Sequence, residues 1–113
     1  MLTQYAYTED LISRLQQALP FHAFVTKHAF AAYGSTAKLP VRNKQRVQIT
    51  NVLDGGNNGG ILCVAAIDGG KSVLGISITH LRLDMHHPLY KEVRSYQIDR
   101  KKRLAAARMF SAA

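Results

Sequence analysis

Residues 46–83 read RVQITNVLDGGNNGGILCVAAIDGGKSVLGISITHLRL, and this stretch decides the fold. Apolar and polar residues alternate from Arg46 to Leu53, as in a strand with one solvated face. A run that is apolar on both faces follows at Ile61–Ile67, and another apolar segment extends from Val73 to Leu83. The segments between them are rich in glycine and asparagine, which tolerate the positive φ angles of tight turns. The pattern predicts an antiparallel meander of three to four strands joined by hairpins.

Side-chain parity adds detail to this meander. One face of the first strand is expected to carry Val47, Ile49, Asn51 and Leu53. In the last strand, Leu81 and Leu83 lie on the parity opposite to that of Leu74 and Ile76, so a bulge or a sharp bend is required near Thr79 and His80. Strands bend in this way when a small sheet curls toward a barrel, and the outline resembles small SH3-like barrels.

Helical patterns flank the strands. Thr8 is a candidate N-cap for a helix that ends before Pro20, and residues 21–33 predict a second helix, with a short strand at its start as the alternative. Pro88 suits the first turn of a last helix that runs to about Met109. At 1.5 Å per residue such a helix is about 33 Å long, so its last turns are expected to project beyond the body.

The predicted fold class is therefore α+β in a single domain. The expected segments are N-terminal helices in residues 1–34, a small curved antiparallel sheet in 35–83 and a long basic C-terminal helix in 84–113. Hydrophobic residues make up 47% of the chain and charged residues 19%, which excludes an intrinsically disordered protein. The longest apolar run has seven residues, too few for a membrane helix, and the lone Cys63 predicts a buried, inert thiol and a cytoplasmic location.

Positive charge is the composition feature with functional content. The chain has 15 Lys and Arg against 7 Asp and Glu, a net charge of +8, which favours a polyanionic partner. Seven basic and two acidic residues lie between Lys91 and Arg108, so this stretch carries +5 of the total. Basic residues near a helix C-terminus also complement the helix dipole, and a merely solvated helix remains the alternative.

The sequence thus predicts a nucleic-acid-binding module without catalytic activity, metal or cofactor. The expected phosphate contacts on the last helix are Lys91, Arg94, Lys101, Lys102 and Arg108. They lie opposite an apolar stripe formed by Leu89, Val93, Tyr96, Leu104 and Ala107. Arg100 falls inside that stripe, so either its stem snorkels or the helix has left the core there. A second basic patch, expected to extend the surface, contains Lys38, Arg42, Lys44 and Arg46.

Two other functions remain open. The projecting helix end, with Leu104, Met109 and Phe110, suits a protein-interaction or homo-oligomerisation module. A small basic ribonuclease of the toxin type would use histidines as acid or base and Arg82 on the phosphate. The histidines considered for that role are His80, His86 and His87.

Two glycine segments resemble ligand loops only in part. Gly70-Lys71-Ser72 lacks the earlier glycine of a P-loop, since Ala65 stands there, and a strand pattern follows it. The loop at residues 54–60 lacks the closing glutamate of a calcium loop. Both segments therefore predict hairpin turns.

Overall fold

Helices and strands occupy most of the residues that the structure, a computed structural model, describes: 4–29, 44–56, 60–67 and 69–111. The helices are α1 (Gln4–Gln17), the one-turn α2 (Lys27–Ala29) and α3 (Tyr90–Ser111). The strands are β1 (Phe21–Val25), β2 (Arg46–Asp54), β3 (Ile61–Ile67), β4 (Ser72–Ser77) and β5 (Leu81–Leu83). The α+β prediction is confirmed. Among these residues, no helix combines the length and the apolarity that crossing a membrane requires.

The described strands form one antiparallel sheet in the order β4-β3-β2-β1-β5. One face of it is buried. Its buried apolar residues are Phe21, Ala23, Val25, Val47, Ile49, Val52, Ile61, Cys63, Ala65, Ile67, Ile76, Leu81 and Leu83. Leu11 and Leu15 of α1 and Val93 and Tyr96 of α3 belong to the same core cluster. We call this the inward face, and the opposite side of the sheet the outward face.

The sheet is curled but open. Its edge strands β4 and β5 are separated along the chain only by the 3₁₀ turn Ile78–His80. Four strand spacings would put the edges of a flat sheet roughly 19 Å apart, whereas four peptide steps reach at most about 14 Å. The edges must therefore approach one another at this corner. No ladder joins β4 to β5 among the described strands, so the expected resemblance to a closed SH3-like barrel is wrong.

The irregularity expected near Thr79 and His80 lies at this corner, but it is not a bulge within one strand. The chain leaves β4 at Ser77, turns through the 3₁₀ segment and enters β5 at the opposite edge of the sheet. Two edge strands therefore replace the single bent strand predicted over residues 73–83. The apolar residues change parity here because β4 and β5 are separate strands, and each pairs with a different partner, β3 and β1 respectively.

The predicted second helix is wrong in its first part, and the short strand given there as the alternative is confirmed. Residues 21–25 form the inner strand β1, which pairs with both β2 and β5. Phe21, Ala23 and Val25 are buried while His22 is exposed, which is the two-residue period of a strand. Residues 30–33 lie outside the described residues. The predicted N-cap is also wrong, because α1 begins at Gln4 and contains Thr8.

A register shift corrects the predicted parity of β2. The ladder with β3 is irregular between Ile49 and Asn51, so Val52 rather than Leu53 points inward, and Leu53 is 43% exposed. The Asn51 Oδ1 atom accepts the Val52 N–H at 2.9 Å, and the Gln16 Nε2 atom of α1 donates to the Val52 carbonyl at 2.8 Å. Side chains thus provide hydrogen-bond partners for the backbone N–H and carbonyl groups beside the irregularity.

Gln97 attaches α3 to the corner of the sheet. Its buried Nε2 atom donates to the carbonyl oxygens of Ile78 and Leu81, each at 2.6 Å, on the two sides of the 3₁₀ turn. Its Oε1 atom accepts a hydrogen bond from Arg94 at 3.1 Å. The NH₂ group and the carbonyl oxygen of the Gln97 side chain are therefore both hydrogen-bonded, as a buried polar group requires.

A second contact joins α3 to the hairpin between β2 and β3. The Tyr96 hydroxyl accepts the Ile61 N–H at 3.1 Å, and Arg100 is only 7% exposed. Both side chains lie against Gly60, where φ is 63° and a Cβ would lie 2.6 Å from Tyr96 Oη and 2.7 Å from Arg100 Nε. Residues 101–106 are exposed, with Leu104 at 39%. The helix therefore leaves the core after Arg100, and the predicted stripe is wrong at Leu104.

We expect Gln97→Leu to lower the free energy of unfolding by about 1–3 kcal/mol, because it leaves buried carbonyls without their amide donor. Urea unfolding followed by circular dichroism measures this. The control Ser95→Ala changes an exposed position of the same helix and should stay within about 0.5 kcal/mol. Equal unfolding midpoints for Gln97→Leu and the unsubstituted protein would contradict the role given to the amide.

Gly60→Ala should cost more than Gly69→Ala, although both glycines have nearly the same positive φ, 63° and 65°. At Gly69 nothing lies within 4 Å of the added Cβ, so only the backbone penalty of about 1 kcal/mol is expected. At Gly60 the displacement of Tyr96 and Arg100 should raise the loss to about 2–4 kcal/mol. The same unfolding assay compares them, and equal losses would show that α3 does not press on the hairpin.

Candidate nucleic-acid interface

The cations predicted on the last helix differ in their surroundings. Lys91, Lys101 and Lys102 are exposed. Arg94 is half-buried, and one of its guanidinium nitrogens donates to Gln97, so it supports the corner contact. Arg108 lies within α3, but its side chain is outside the described residues. The structure thus leaves two predicted contacts, Lys101 and Lys102, together on one exposed stretch.

This exposed stretch follows the buried Arg100 in α3. We call residues 101–106 the basic extension, because they are exposed and begin with Lys101, Lys102 and Arg103. Six residues at 1.5 Å each make it about 9 Å long. Lys91 lies ten residues before Lys101, roughly 15 Å away along the helix, and is not part of this cluster.

The second predicted patch does not continue the helical one. Lys38 and Arg42 lie outside the described residues, and Lys44 and Arg46 are exposed. Arg46 stands on the outward face of β2, because its neighbour Val47 points into the core. The body of α3 packs against the core side of the sheet. The sheet therefore separates Arg46 from Lys91.

The outward face of the sheet carries an arrangement that the sequence did not predict. Phe24 of β1 lies directly opposite Arg46 of β2 on one side and Arg82 of β5 on the other. We call these three residues the outward row. Residues that oppose one another in an antiparallel pair point to the same face, with Cβ atoms about 4.5–5.5 Å apart. Both arginines are exposed and Phe24 is half-buried, so an aromatic ring stands between two cations at the surface.

The neighbours of the outward row are polar or basic. His22 opposes Gln48 in the next row, and both are exposed. At the other end of β1, the Lys44 N–H donates to the Val25 carbonyl at 2.7 Å, which places Lys44 beside this part of the sheet. Polar and cationic groups thus surround the half-buried ring of Phe24.

Four of the six described acidic residues lie on the helices, and Asp84 follows β5 two residues after Arg82. None of the described strand residues that point outward is acidic, whereas α1 and α3 carry Glu9, Asp10, Glu92 and Asp99. Arg14 bridges the two helices through Glu92 at 3.3 Å and also lies 3.9 Å from Asp10. A backbone hydrogen bond and the Arg14 guanidinium lower the pKa of Glu92. The helical side therefore neutralises part of its own charge, whereas the described outward strand positions carry no acid.

The three candidate histidines have different surroundings, with His80 half-buried at the end of the 3₁₀ turn. The His87 Nδ1 atom accepts the Leu89 N–H at 3.0 Å, which caps the chain ahead of α3, and its ring meets the edge of Phe21 at 5.0 Å. Phe21 points inward, whereas Arg82 lies on the outward face. His86 is exposed. Across the described residues, no three His, Cys, Asp or Glu side chains come together in a way that could hold a metal ion.

The remaining candidate segments are structural where the chain is described. Gly69 and Gly70 have positive φ and form the turn between β3 and β4, so Lys71 precedes a strand and not a helix. Gly55 and Gly60 close the β2–β3 hairpin through a hydrogen bond from the Gly55 N–H to the Gly60 carbonyl at 2.6 Å. Cys63 is fully buried, and burial raises the pKa of its thiol to about 12. These segments confirm two hairpin turns and an unreactive cysteine.

Comparison of the chain with protein-family models, with curated protein sequences and with solved structures found no match in any of the three. The functional argument therefore proceeds from the charges and contacts of the chain itself.

His87 should make the protein less stable in mild acid. Burial lowers its pKa below the ordinary 6.5, because the folded state disfavours the charged ring, and Nδ1 must stay unprotonated to accept the Leu89 N–H. As the pH falls through this range, the unfolded state binds the proton first and stability is lost. Unfolding in urea between about pH 7.5 and about pH 5.5 measures the loss.

The variant His87→Asn keeps an acceptor at the cap but cannot titrate, so its stability should fall less over the same pH range. The matched control is His86→Asn, which changes an exposed histidine one residue away. If His87→Asn and the unsubstituted protein lost stability in parallel, the titration of His87 would not be the cause.

Proposed function

We propose that this protein binds nucleic acid and does not catalyse a reaction on it. The observation that carries the proposal is the basic extension, where Lys101, Lys102 and Arg103 follow one another on a helix that has already left the core. The net charge of +8 supports the same partner class, since a polyanion exchanges its condensed counterions for protein cations.

The shape of the basic extension suits a groove or a phosphate backbone. An α-helix with its side chains is about 10–12 Å across, and the major groove of duplex DNA is about 12 Å wide. Three successive cations are spread around the helix at about 100° each, so they face phosphates on more than one side. Contacts of this kind hold a protein on the backbone and select little sequence.

The placement of the histidines favours binding over catalysis. His87 caps α3 and packs on Phe21, while Arg82 lies on the other side of the sheet. A ribonuclease needs an acid, a base and a phosphate-stabilising cation within reach of one phosphate. Should RNA cleavage be found, changing His80, His86 and His87 together to alanine would decide whether they take part.

Self-association through α3 is the second candidate, and one observation favours it. Ile98 and Leu104 are 41% and 39% exposed, and residues 101–106 of the helix are exposed after the buried Arg100. A short helical end without packing is marginally stable in water, and a second copy would cover it. Sedimentation velocity tests this candidate: a strict monomer at high concentration would exclude self-association.

The variant Lys101→Gln/Lys102→Gln should weaken binding to duplex DNA and reduce its salt dependence. Each lost phosphate contact lowers the slope of log K against log salt concentration by about 0.9, so the pair should lower it by about 1.8. Stability should change by less than about 0.5 kcal/mol, because both side chains are exposed. Fluorescence anisotropy of a labelled duplex over a salt series measures both quantities.

The control Lys27→Gln/Lys71→Gln removes the same charge from two other exposed positions. An equal loss of slope in the control would mean that net charge, and not the basic extension, determines binding. A dissociation constant above about 100 µM at low salt, or a flat salt dependence, would remove the proposal altogether.

A further inference from the structure

We propose that the outward row, Phe24 between Arg46 and Arg82, binds single-stranded nucleic acid by stacking one base on Phe24 while the two arginines hold adjacent phosphates. This inference rests on the proposed function for the partner class. The proposed site lies on a different side of the molecule, because the sheet separates the outward face from the core helices. The inference also specifies the ligand as unpaired strands.

The geometry follows from strand register. Phe24 is the direct cross-strand partner of both arginines, so the three Cβ atoms lie in one line across β2, β1 and β5. Strands are about 4.8 Å apart, so each arginine stands one strand spacing from the ring. A base lying on Phe24 would therefore have a guanidinium on each side, within reach of the backbone that carries it.

The exposure of Phe24 is itself informative. The inward neighbours Ala23 and Val25 are buried, so the register of β1 sets Phe24 outward with part of its ring in water. Phenylalanine has no polar atom that would profit from this position. A partly exposed aromatic ring on an inner strand, between long cationic side chains, is the arrangement on which unpaired bases stack.

Charge selects a polyanion over another protein. The described outward positions of the strands carry Arg46 and Arg82 and no acid, Asp84 lies just beyond the end of β5, and Lys44 lies beside the end of β1. His22 and Gln48 occupy the next row and offer polar atoms to base edges. The apolar outward residues Leu62, Val64 and Val73 lie on β3 and β4, and Leu53 lies opposite Leu62 at the far end of β2 from Arg46.

Stacking also selects single strands over duplexes. In a duplex the faces of the bases are covered by their neighbours, so a ring on a sheet can reach only groove edges and phosphates. An unpaired strand exposes base faces that lie flat on an aromatic side chain, with little preference for sequence. The expected ligand is therefore a single-stranded segment of RNA or DNA with weak sequence selectivity.

The first test uses tryptophan fluorescence, because the chain contains no tryptophan. Phe24→Trp places a fluorescent ring in the outward row, and Val73→Trp places the same reporter on the outward face of β4, where Val73 is 63% exposed. Titration with an oligouridylate should quench Phe24→Trp by base stacking and leave Val73→Trp nearly unchanged. No quenching of Phe24→Trp at saturating oligouridylate, or equal quenching of both reporters, would overturn the inference.

The second test measures affinity. Phe24→Leu keeps an apolar side chain of similar bulk and should weaken oligouridylate binding roughly 5- to 150-fold, whereas Phe24→Tyr should bind like the unsubstituted protein. Affinity for a DNA duplex of the same length should be unchanged in both variants. Circular dichroism and urea unfolding establish that each variant is folded before its affinity is compared.

The two proposals fail in different ways. If the unsubstituted protein binds neither the oligouridylate nor the duplex, both the proposed function and this inference are wrong. If it binds both, and binding depends on Lys101 and Lys102 but not on Phe24, the proposed function stands and this inference alone is overturned.

Discussion

The amide of Gln97 is the interaction on which the arrangement of the sheet depends. It holds the carbonyls on both sides of the Ile78–His80 turn, where the chain crosses from one edge of the curled sheet to the other. Two hydrogen bonds from one buried group fix the position of that turn relative to α3. Because β5 begins directly after the turn, its pairing with β1 is fixed as well, and Arg82 is thereby set opposite Phe24.

The contact around Gly60 determines what the other end of α3 can do. Tyr96 and Arg100 lie against the hairpin that Gly60 closes, and only a residue without a side chain fits between them. After Arg100, residues 101–106 of the helix face water, so they can be cationic without loss of core. The contact at Gly60 is thus the point at which the packed part of α3 ends and the basic extension begins.

The molecule separates its charges by layer. The four acidic residues of α1 and α3 lie on the helical side, where Arg14 joins the two helices through Glu92. The described outward positions of the strands carry arginine and no acid. If both proposals hold, the basic extension supplies contacts to phosphates in general and the outward row distinguishes unpaired strands. Two weak contacts on one chain bind more tightly together than either does alone when one ligand can reach both.

Local patterns in the sequence determined the element types over most of the chain. The alternation in the first half of β2, the glycine hairpins, the buried Cys63 and the long last helix could all be predicted, because periodicity and turn chemistry act between residues a few positions apart. The exposure of Lys101 and Lys102 followed from the same helical period. Only the tertiary structure decided which strands pair, where α3 leaves the core and what Gln97 contacts. Periodicity says that a residue faces one side of a strand but not which strand lies beside it, so the juxtaposition of Phe24 with Arg46 and Arg82, residues distant in sequence, required the pairing itself.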